Sequence, residues 1–215
     1  MTTAVFDLDR TLLPGTTAER IFLRRLVREG VIGVGALIKT TRFLIQERGQ
    51  NAFKRVKADR PYLTGQHDAT LRFHGARCVR DELIPALSER GIDFLLWHQE
   101  NGHQVVLLSG SLPYVVEPLA KALNIGHFVC SQIETCRQRL TGRLIGLHPY
   151  GEAKAQLMLE FGQNHDVDFG LSYCYADHHS DEPLLRLFGQ PVCVNPSDRL
   201  RQIARTNEWR VETFG

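Results

Sequence analysis

The chain has 215 residues, of which 43% are hydrophobic and 23% charged, and a formal net charge of +2. That balance belongs to an ordinary soluble globular protein with one sizeable core and room for a smaller module. Five cysteines without a CxxC pair or regular spacing argue against a disulfide framework and for buried, reduced thiols.

The amino terminus passes from Met-Thr-Thr straight into Ala4-Val5-Phe6, with no basic region, long apolar run or cleavage site, so no secretory signal is expected. Residues 31–45, the most apolar stretch, are interrupted by Lys39 and Arg42 and are too short to span a bilayer. A cytoplasmic protein with no membrane span and no nucleic-acid partner follows as the expectation. Residues 16–90 hold 15 of the 26 basic residues but only 8 of the 24 acidic ones. A basic segment beside an acidic remainder suits an anionic substrate held against a metal-binding core, although arginines on solvated helix faces give the same count.

Along the chain, Val5-Phe6 predicts a short buried strand that ends at Asp7-Leu8-Asp9. Residues 16 to about 100 are rich in arginine and helical pattern, with no buried-strand run before Gln104. Consecutive parallel strands need a crossover of only about a dozen residues, so this longer one predicts a separate helical module. Residues 104–108 form a second strand, followed at once by Ser109-Gly110-Ser111. An amphipathic helix is expected over 113–123 with Asn124 as its stop, and a small antiparallel hairpin over 133–147. A helix over 152–161, ended by Gly162, carries Lys154 in its first turn. Residues 171–175 form a third strand just before Asp177, and 182–188 a helix ended by Gly189. The fourth strand, 191–194, precedes a last helix over 199–205. Alternating strands and helices predict an α/β fold, a Rossmann-like parallel sheet flanked by helices, made from 1–15 and 101–215, with 16–100 inserted.

In such sheets ligands bind at the carboxyl ends of the strands. Asp7 and Asp9 follow the first strand, Ser109 the second, Asp177 and Asp181 the third, and Lys154 opens a helix between them. Carboxylate oxygen suits a hard cation such as Mg²⁺. A phosphate group fits between that cation, Lys154 and the Ser109 hydroxyl, with backbone N–H groups around Leu8 and Gly110 as further donors. One carboxylate can attack the phosphorus. Asp9, two residues on, stands beside Asp7 as a general acid–base, help worth roughly 10²–10⁴-fold.

Phe6-Asp7-Leu8-Asp9-Arg10-Thr11-Leu12 resembles the first motif (DxDxT) of the haloacid dehalogenase superfamily of phosphohydrolases. Ser109-Gly110 resembles its second motif, Lys154 its third and Asp177-His178-His179-Ser180-Asp181 its fourth, all in order. The insertion at 16–100 is similar to the helical cap of the phosphoserine-phosphatase-like subgroup (subfamily IB). The resemblance implies Asp7 as nucleophile and Asp9 as general acid–base. It implies a Mg²⁺ held by Asp7, the backbone carbonyl of Asp9 and Asp177, with Asp181 in support. Ser109, Gly110 and Lys154 bind the phosphoryl group, and Thr11 supports the first loop of that phosphate site.

The expected activity is Mg²⁺-dependent hydrolysis of a small phosphorylated metabolite through an aspartyl-phosphate. Similar phosphoserine phosphatases carry a Glu seven residues after the second motif Asp. Here that position is Thr16, with Glu19 three residues further on, which counts against phosphoserine. A lipid phosphatase of the phosphatidylglycerophosphate type is the alternative, with residues 31–45 as an amphipathic helix on anionic lipid. Asp9 and the long insertion argue against a receiver-like phospho-acceptor, and no His-x4-Asp pair is present for a fused acyltransferase. Arg20, Arg24, Arg42 and Arg55 are the candidates for holding an anionic part of the substrate. His178 and His179 are expected as wall residues, and His98, His103, Trp97 and Trp209 as packing.

Overall fold

The computed structural model describes residues 1–33, 35, 36, 38 and 59–215. Six strands form one parallel sheet: β1 Thr3–Asp7, β2 Gln104–Ser109, β3 His127–Cys130, β6 Tyr173–Ala176, β7 Gln190–Val194 and β8 Arg210–Glu212. Their order is β3-β2-β1-β6-β7-β8, with every neighbouring pair parallel. β4 Gln132–Cys136 and β5 Arg139–Ile145 make a separate antiparallel hairpin.

All five residues of β1 are buried, as a strand covered on both faces requires. Its side chains alternate between two cores. Ala4 and Phe6 join Leu107, Tyr175 and Val192 on one face, together with residues of helices Ala18–Arg28, Asp68–Cys78 and Pro113–Ala122. Val5 joins Val106, Leu108, Cys174 and Cys193 on the other, under helices Glu152–His165 and Asp198–Thr206. Phe6 pairs in register with Tyr175 of β6, and the two rings stack at 4.3 Å with 2° between their planes.

The insertion is helical where it is described. Thr17 caps helix Ala18–Arg28, its hydroxyl accepting from the Arg20 N–H at 3.2 Å. Helix Asp68–Cys78 lies against helix Pro113–Ala122, where Gly75 meets the Tyr114 carbonyl and the Tyr114 hydroxyl donates to Asp68 at 2.8 Å. Helix Glu89–Glu100 packs on the sheet instead, with Phe94 edge-on to Tyr175 at 5.9 Å. The β4–β5 hairpin also joins the insertion: Arg60 N–H donates to Gly142 at 2.7 Å and Gly65 N–H to Leu140 at 2.7 Å.

Several local expectations need correction. Helix Glu152–His165 runs through Gly162, which is there because a Cβ would sit 2.7 Å from the Phe169 ring; the helix ends at Asp166 in a left-handed conformation. The third predicted strand starts later, because Phe169–Leu171 is a 3₁₀ turn capped by Asp168. The helix expected over 182–188 is regular only over Glu182–Leu185. Strands β3 and β8, at the two sheet edges, were not anticipated. Cys136, on the hairpin, is exposed, unlike the other four free cysteines. Arg42, Arg55, Lys39 and most of 31–45 lie outside the described residues. Among the described residues no helix is long and apolar enough to cross a membrane.

His98 is fully buried, with Nε2 2.8 Å from the Tyr175 hydroxyl and Nδ1 2.8 Å from His103 Nδ1. Trp97 packs edge-on to His98, and Trp209 lies under the Arg186 guanidinium at 5.4 Å.

Candidate active site

The chain leaves β1 toward β2 on one side and pairs with β6 on the other, so the order of crossovers reverses at β1 and opens a crevice at its carboxyl end. Asp7 is the last residue of β1 and is buried. Its Oδ1 accepts from Lys154 Nζ at 2.8 Å and its Oδ2 from the Thr11 hydroxyl at 3.0 Å. The turn that brings Thr11 back under Asp7 passes through Arg10 in a left-handed conformation, φ 67°. A non-glycine residue there carries local backbone strain, a feature that gathers at functional sites.

Asp9 is turned to different partners. Its Oδ1 accepts from the N–H of Ala18 at 2.7 Å, at the positive end of helix Ala18–Arg28. Its Oδ2 accepts from the Ser111 hydroxyl at 3.0 Å and lies 3.4 Å from that of Ser109. Ser109 is buried at the end of β2, where its hydroxyl also accepts from the Ser111 N–H at 3.0 Å. Burial raises the Asp9 carboxyl pKa above the usual range, against the pull of the Ala18 and Ser111 bonds.

Lys154 bridges the two sides of the crevice: its Nζ reaches Asp181 Oδ2 at 2.8 Å as well as Asp7. Asp181 stands at the start of the short helix Glu182–Leu185, the position of an N-cap, yet its side chain makes no capping bond. Carboxylate oxygens of Asp7, Asp177 and Asp181 all lie within 4.8 Å of one another. Burial pushes the Asp7 carboxyl up to about 7, Lys154 opposing it, and burial followed by the Asp181 charge pushes Asp177 up to about 6. Burial works against the Lys154 charge, but the two carboxylates outweigh it and hold the ammonium well above its ordinary value. Three carboxylates around one ammonium leave this buried space net negative, and their hard oxygen donors fit a divalent cation of the Mg²⁺ type.

The cleft above these groups has a volume of about 350 Å³. Gly110 and His178 line it as well. Ser180 donates to His178 Nδ1 from its N–H at 3.2 Å, so that ring nitrogen serves its own loop. Arg20 and Arg24 are exposed and do not line the cleft. Arg10 and Arg60 do, and the Arg60 guanidinium donates to Glu19 Oε2 at 2.6 Å, while the Tyr62 hydroxyl binds the other Glu19 oxygen. Glu19 thus faces the cleft from the first turn of its helix. His148 and Tyr150 complete the wall. Arg60, Tyr62, His148 and Tyr150 were not singled out from sequence; for His148 and Tyr150 the available signal was their position a few residues ahead of Lys154.

A family model for haloacid dehalogenase-like hydrolases matches residues 4–186, from β1 through the acidic cluster. The chain is similar to a histidinol-phosphatase of Neisseria meningitidis serogroup C, 28% identical over 98% of both chains. It is also similar to a phosphoserine phosphatase of Mycobacterium tuberculosis, 26% identical over 98% of this chain and 70% of that one. Among solved structures, a protein with unknown function from Bordetella pertussis Tohama I superposes with a TM-score of 0.82, at 25% identity and over 100% of both chains. Three carboxylates, Lys154 and the Ser109 hydroxyl gathered near the strand ends agree with these likenesses, and the chain belongs to the haloacid dehalogenase-like hydrolase family, as one of its phosphatases.

Proposed function

We propose that the protein hydrolyses a small phosphorylated metabolite through an aspartyl-phosphate on Asp7, with Mg²⁺ bound. The observation that carries this reading is the fixed position of Asp7, whose two oxygens are held by Lys154 and Thr11 at the end of the central strand.

In this mechanism an Asp7 oxygen forms the new bond to phosphorus as the ester P–O bond breaks, and Asp9 gives its proton to the departing alkoxide. A water molecule then attacks the phosphorus of the acyl-phosphate. Asp9 takes the water proton back, and Asp7 leaves as the carboxylate. Asp9 is suited to both transfers because Ser111 and the Ala18 N–H hold its carboxyl in one orientation. Ser109, the Gly110 backbone and Lys154 bind the phosphoryl oxygens, with Thr11 supporting the loop. Asp7, the Asp9 carbonyl and Asp177 would hold Mg²⁺, supported by Asp181, and the ion supplies positive charge for the phosphoryl group.

The cap expected over 16–100 is taken to end ahead of Glu89–Glu100, because that helix packs on the sheet. We place the reaction in the cytoplasm on the strength of five free thiols. The lipid alternative gains no support from the described residues or from the relatives above.

The test is phosphate release from a broad panel of phosphomonoesters with Mg²⁺, with EDTA, and with Asp7→Asn. Turnover that needs the metal and disappears in Asp7→Asn is the expected result. An Asp7→Asn protein as active as the parent would overturn the mechanism.

A further inference from the structure

His148 lies on the loop between β5 and helix Glu152–His165, and one edge of its imidazole overlies Gly110. A Cβ placed on Gly110 would lie 3.1 Å from His148 Cε1 and 3.6 Å from Nε2. This edge lines the cleft. The other nitrogen is committed: Nδ1 lies 2.7 Å from the Ser131 Oγ, and that Oγ lies 2.6 Å from the Gly110 carbonyl oxygen.

The tautomer follows from counting protons. A carbonyl oxygen only accepts, so the single hydroxyl proton of Ser131 goes to Gly110. Ser131 Oγ must then accept from His148, and Nδ1 carries the ring hydrogen. In the neutral ring Nε2 is left as a bare acceptor beside the phosphate-binding glycine. Burial, then the positive charge of Arg60, lowers the His148 pKa and keeps the ring neutral, with Glu19 opposing. No hydrogen bond from another described residue reaches Nε2. Glu19, the acceptor whose charge is felt at this ring, has both oxygens engaged by Arg60 and Tyr62.

A bare nitrogen lone pair repels phosphate oxygens and accepts from a donor. We infer that His148 is a specificity-determining residue whose Nε2 accepts a hydrogen bond from an ammonium or hydroxyl group on the alcohol part of the substrate, and that Ser131 is the positioning residue that fixes its tautomer. The inference rests on the phosphomonoesterase reading above and narrows its substrate class. Esters whose alcohol carries a donor near the phosphate are selected over those with a methyl group in the same place, because the unmatched acceptor would stay desolvated.

Two experiments test it. The first compares kcat/KM for 2-aminoethyl phosphate, 2-hydroxyethyl phosphate and propyl phosphate in the parent, His148→Phe and Ser131→Ala. At least one donor-bearing ester should exceed propyl phosphate by about ten-fold in the parent. That ratio should collapse toward one in His148→Phe and fall, chiefly through KM, in Ser131→Ala. A parent that treats the three esters alike, or a ratio that survives in His148→Phe, overturns the inference. Failure of the underlying reading looks different: no metal-dependent turnover of any ester, propyl phosphate included. The second experiment does not depend on turnover. Proton–nitrogen correlation spectra of the Mg²⁺-loaded protein should show His148 protonated at Nδ1 and bare at Nε2, and the opposite tautomer rules the proposal out.

Discussion

Asp181 gives its carboxylate to Lys154 at 2.8 Å and leaves the first turn of its own helix, Glu182–Leu185, without a side-chain cap. Lys154 is thereby held between two buried carboxylates, Asp7 on one side and Asp181 on the other. A capping bond worth about 1 kcal/mol has been given up for a charge contact inside the crevice.

Replacing that ammonium should show how much of the fold leans on it. Lys154→Met keeps most of the unbranched side chain, one atom short, but leaves Asp7, Asp177 and Asp181 facing one another without the ammonium between them. We expect a loss of about 3–5 kcal/mol in stability, the usual result of breaking a buried pair from one side. Added Mg²⁺ should raise the melting temperature of Lys154→Met by more than it raises that of the parent. Thermal melts with Mg²⁺ and with EDTA measure both, and equal shifts in the two proteins would contradict it.

Asp9 is predicted to matter according to the leaving group. An alkoxide needs a proton as it departs, whereas p-nitrophenolate does not. Asp9→Asn should lower kcat for an alkyl phosphate by roughly 10²–10⁴-fold. On p-nitrophenyl phosphate, the same variant should still release a rapid burst of nitrophenolate close to one equivalent, then stall at hydrolysis. Stopped-flow absorbance reads the burst, and its absence would show that Asp9 is needed for the first step even without a proton to give.

The buried His98 gives the stability a pH dependence of known sign. Burial, then His103, lowers its pKa to about 4, against 6.5 for an ordinary imidazole. The folded protein therefore keeps this ring neutral where the unfolded chain already takes up a proton. Stability contributed by His98 is complete above pH 6.5, drains away as the pH falls through the window from 6.5 to about 4, and is gone below it. His98→Gln should melt lower than the parent at pH 7.5 and lose less on going to pH 5. Melting temperatures across that range check it, and parallel slopes would count against the assignment.

The contact between Gly75 and Tyr114 ties the inserted helices to the α/β layer. A Cβ at position 75 would lie 2.0 Å from the Tyr114 carbonyl oxygen, a backbone atom that cannot rotate aside. Gly75→Ala gains about 1 kcal/mol in helix propensity. Even so, it should destabilise the protein by about 1–3 kcal/mol, the range for forced overpacking. If Asp68–Cys78 belongs to the cap, KM should rise by a larger factor than kcat falls. Urea unfolding and steady-state kinetics separate the two effects.

The central strands and the polar groups at their ends were legible in the sequence for a simple reason. Val105 to Leu108 is apolar at every position because both faces of the sheet are covered, and a polar cluster follows at once. The edge strands gave no such signal. His127–Cys130 is only partly buried over its first three residues, and Arg210–Glu212 is three residues long with an exposed pattern. At the cleft, Asp7, Lys154 and Asp177 announced themselves by standing at element ends. Glu19 and Arg60 meet only after the chain has folded, being 41 residues apart, and no local pattern marks such a meeting. The extra length of helix Glu152–His165 is not legible in the sequence, because Gly162 looks like a stop until the Phe169 ring is placed against it.

The Phe6–Tyr175 stack has a consequence for the two acids at the strand ends. Phe6 immediately precedes Asp7, Tyr175 stands two residues before Asp177, and the two rings stack at 4.3 Å in the core on one face of the sheet. The parallel register of β1 on β6 sets where the two acids leave the sheet, and a slip of either strand would break the ring stack that goes with that register. One stacked pair thus keeps Asp7 and Asp177 in step from the face of the sheet, away from the cleft that the two acids line.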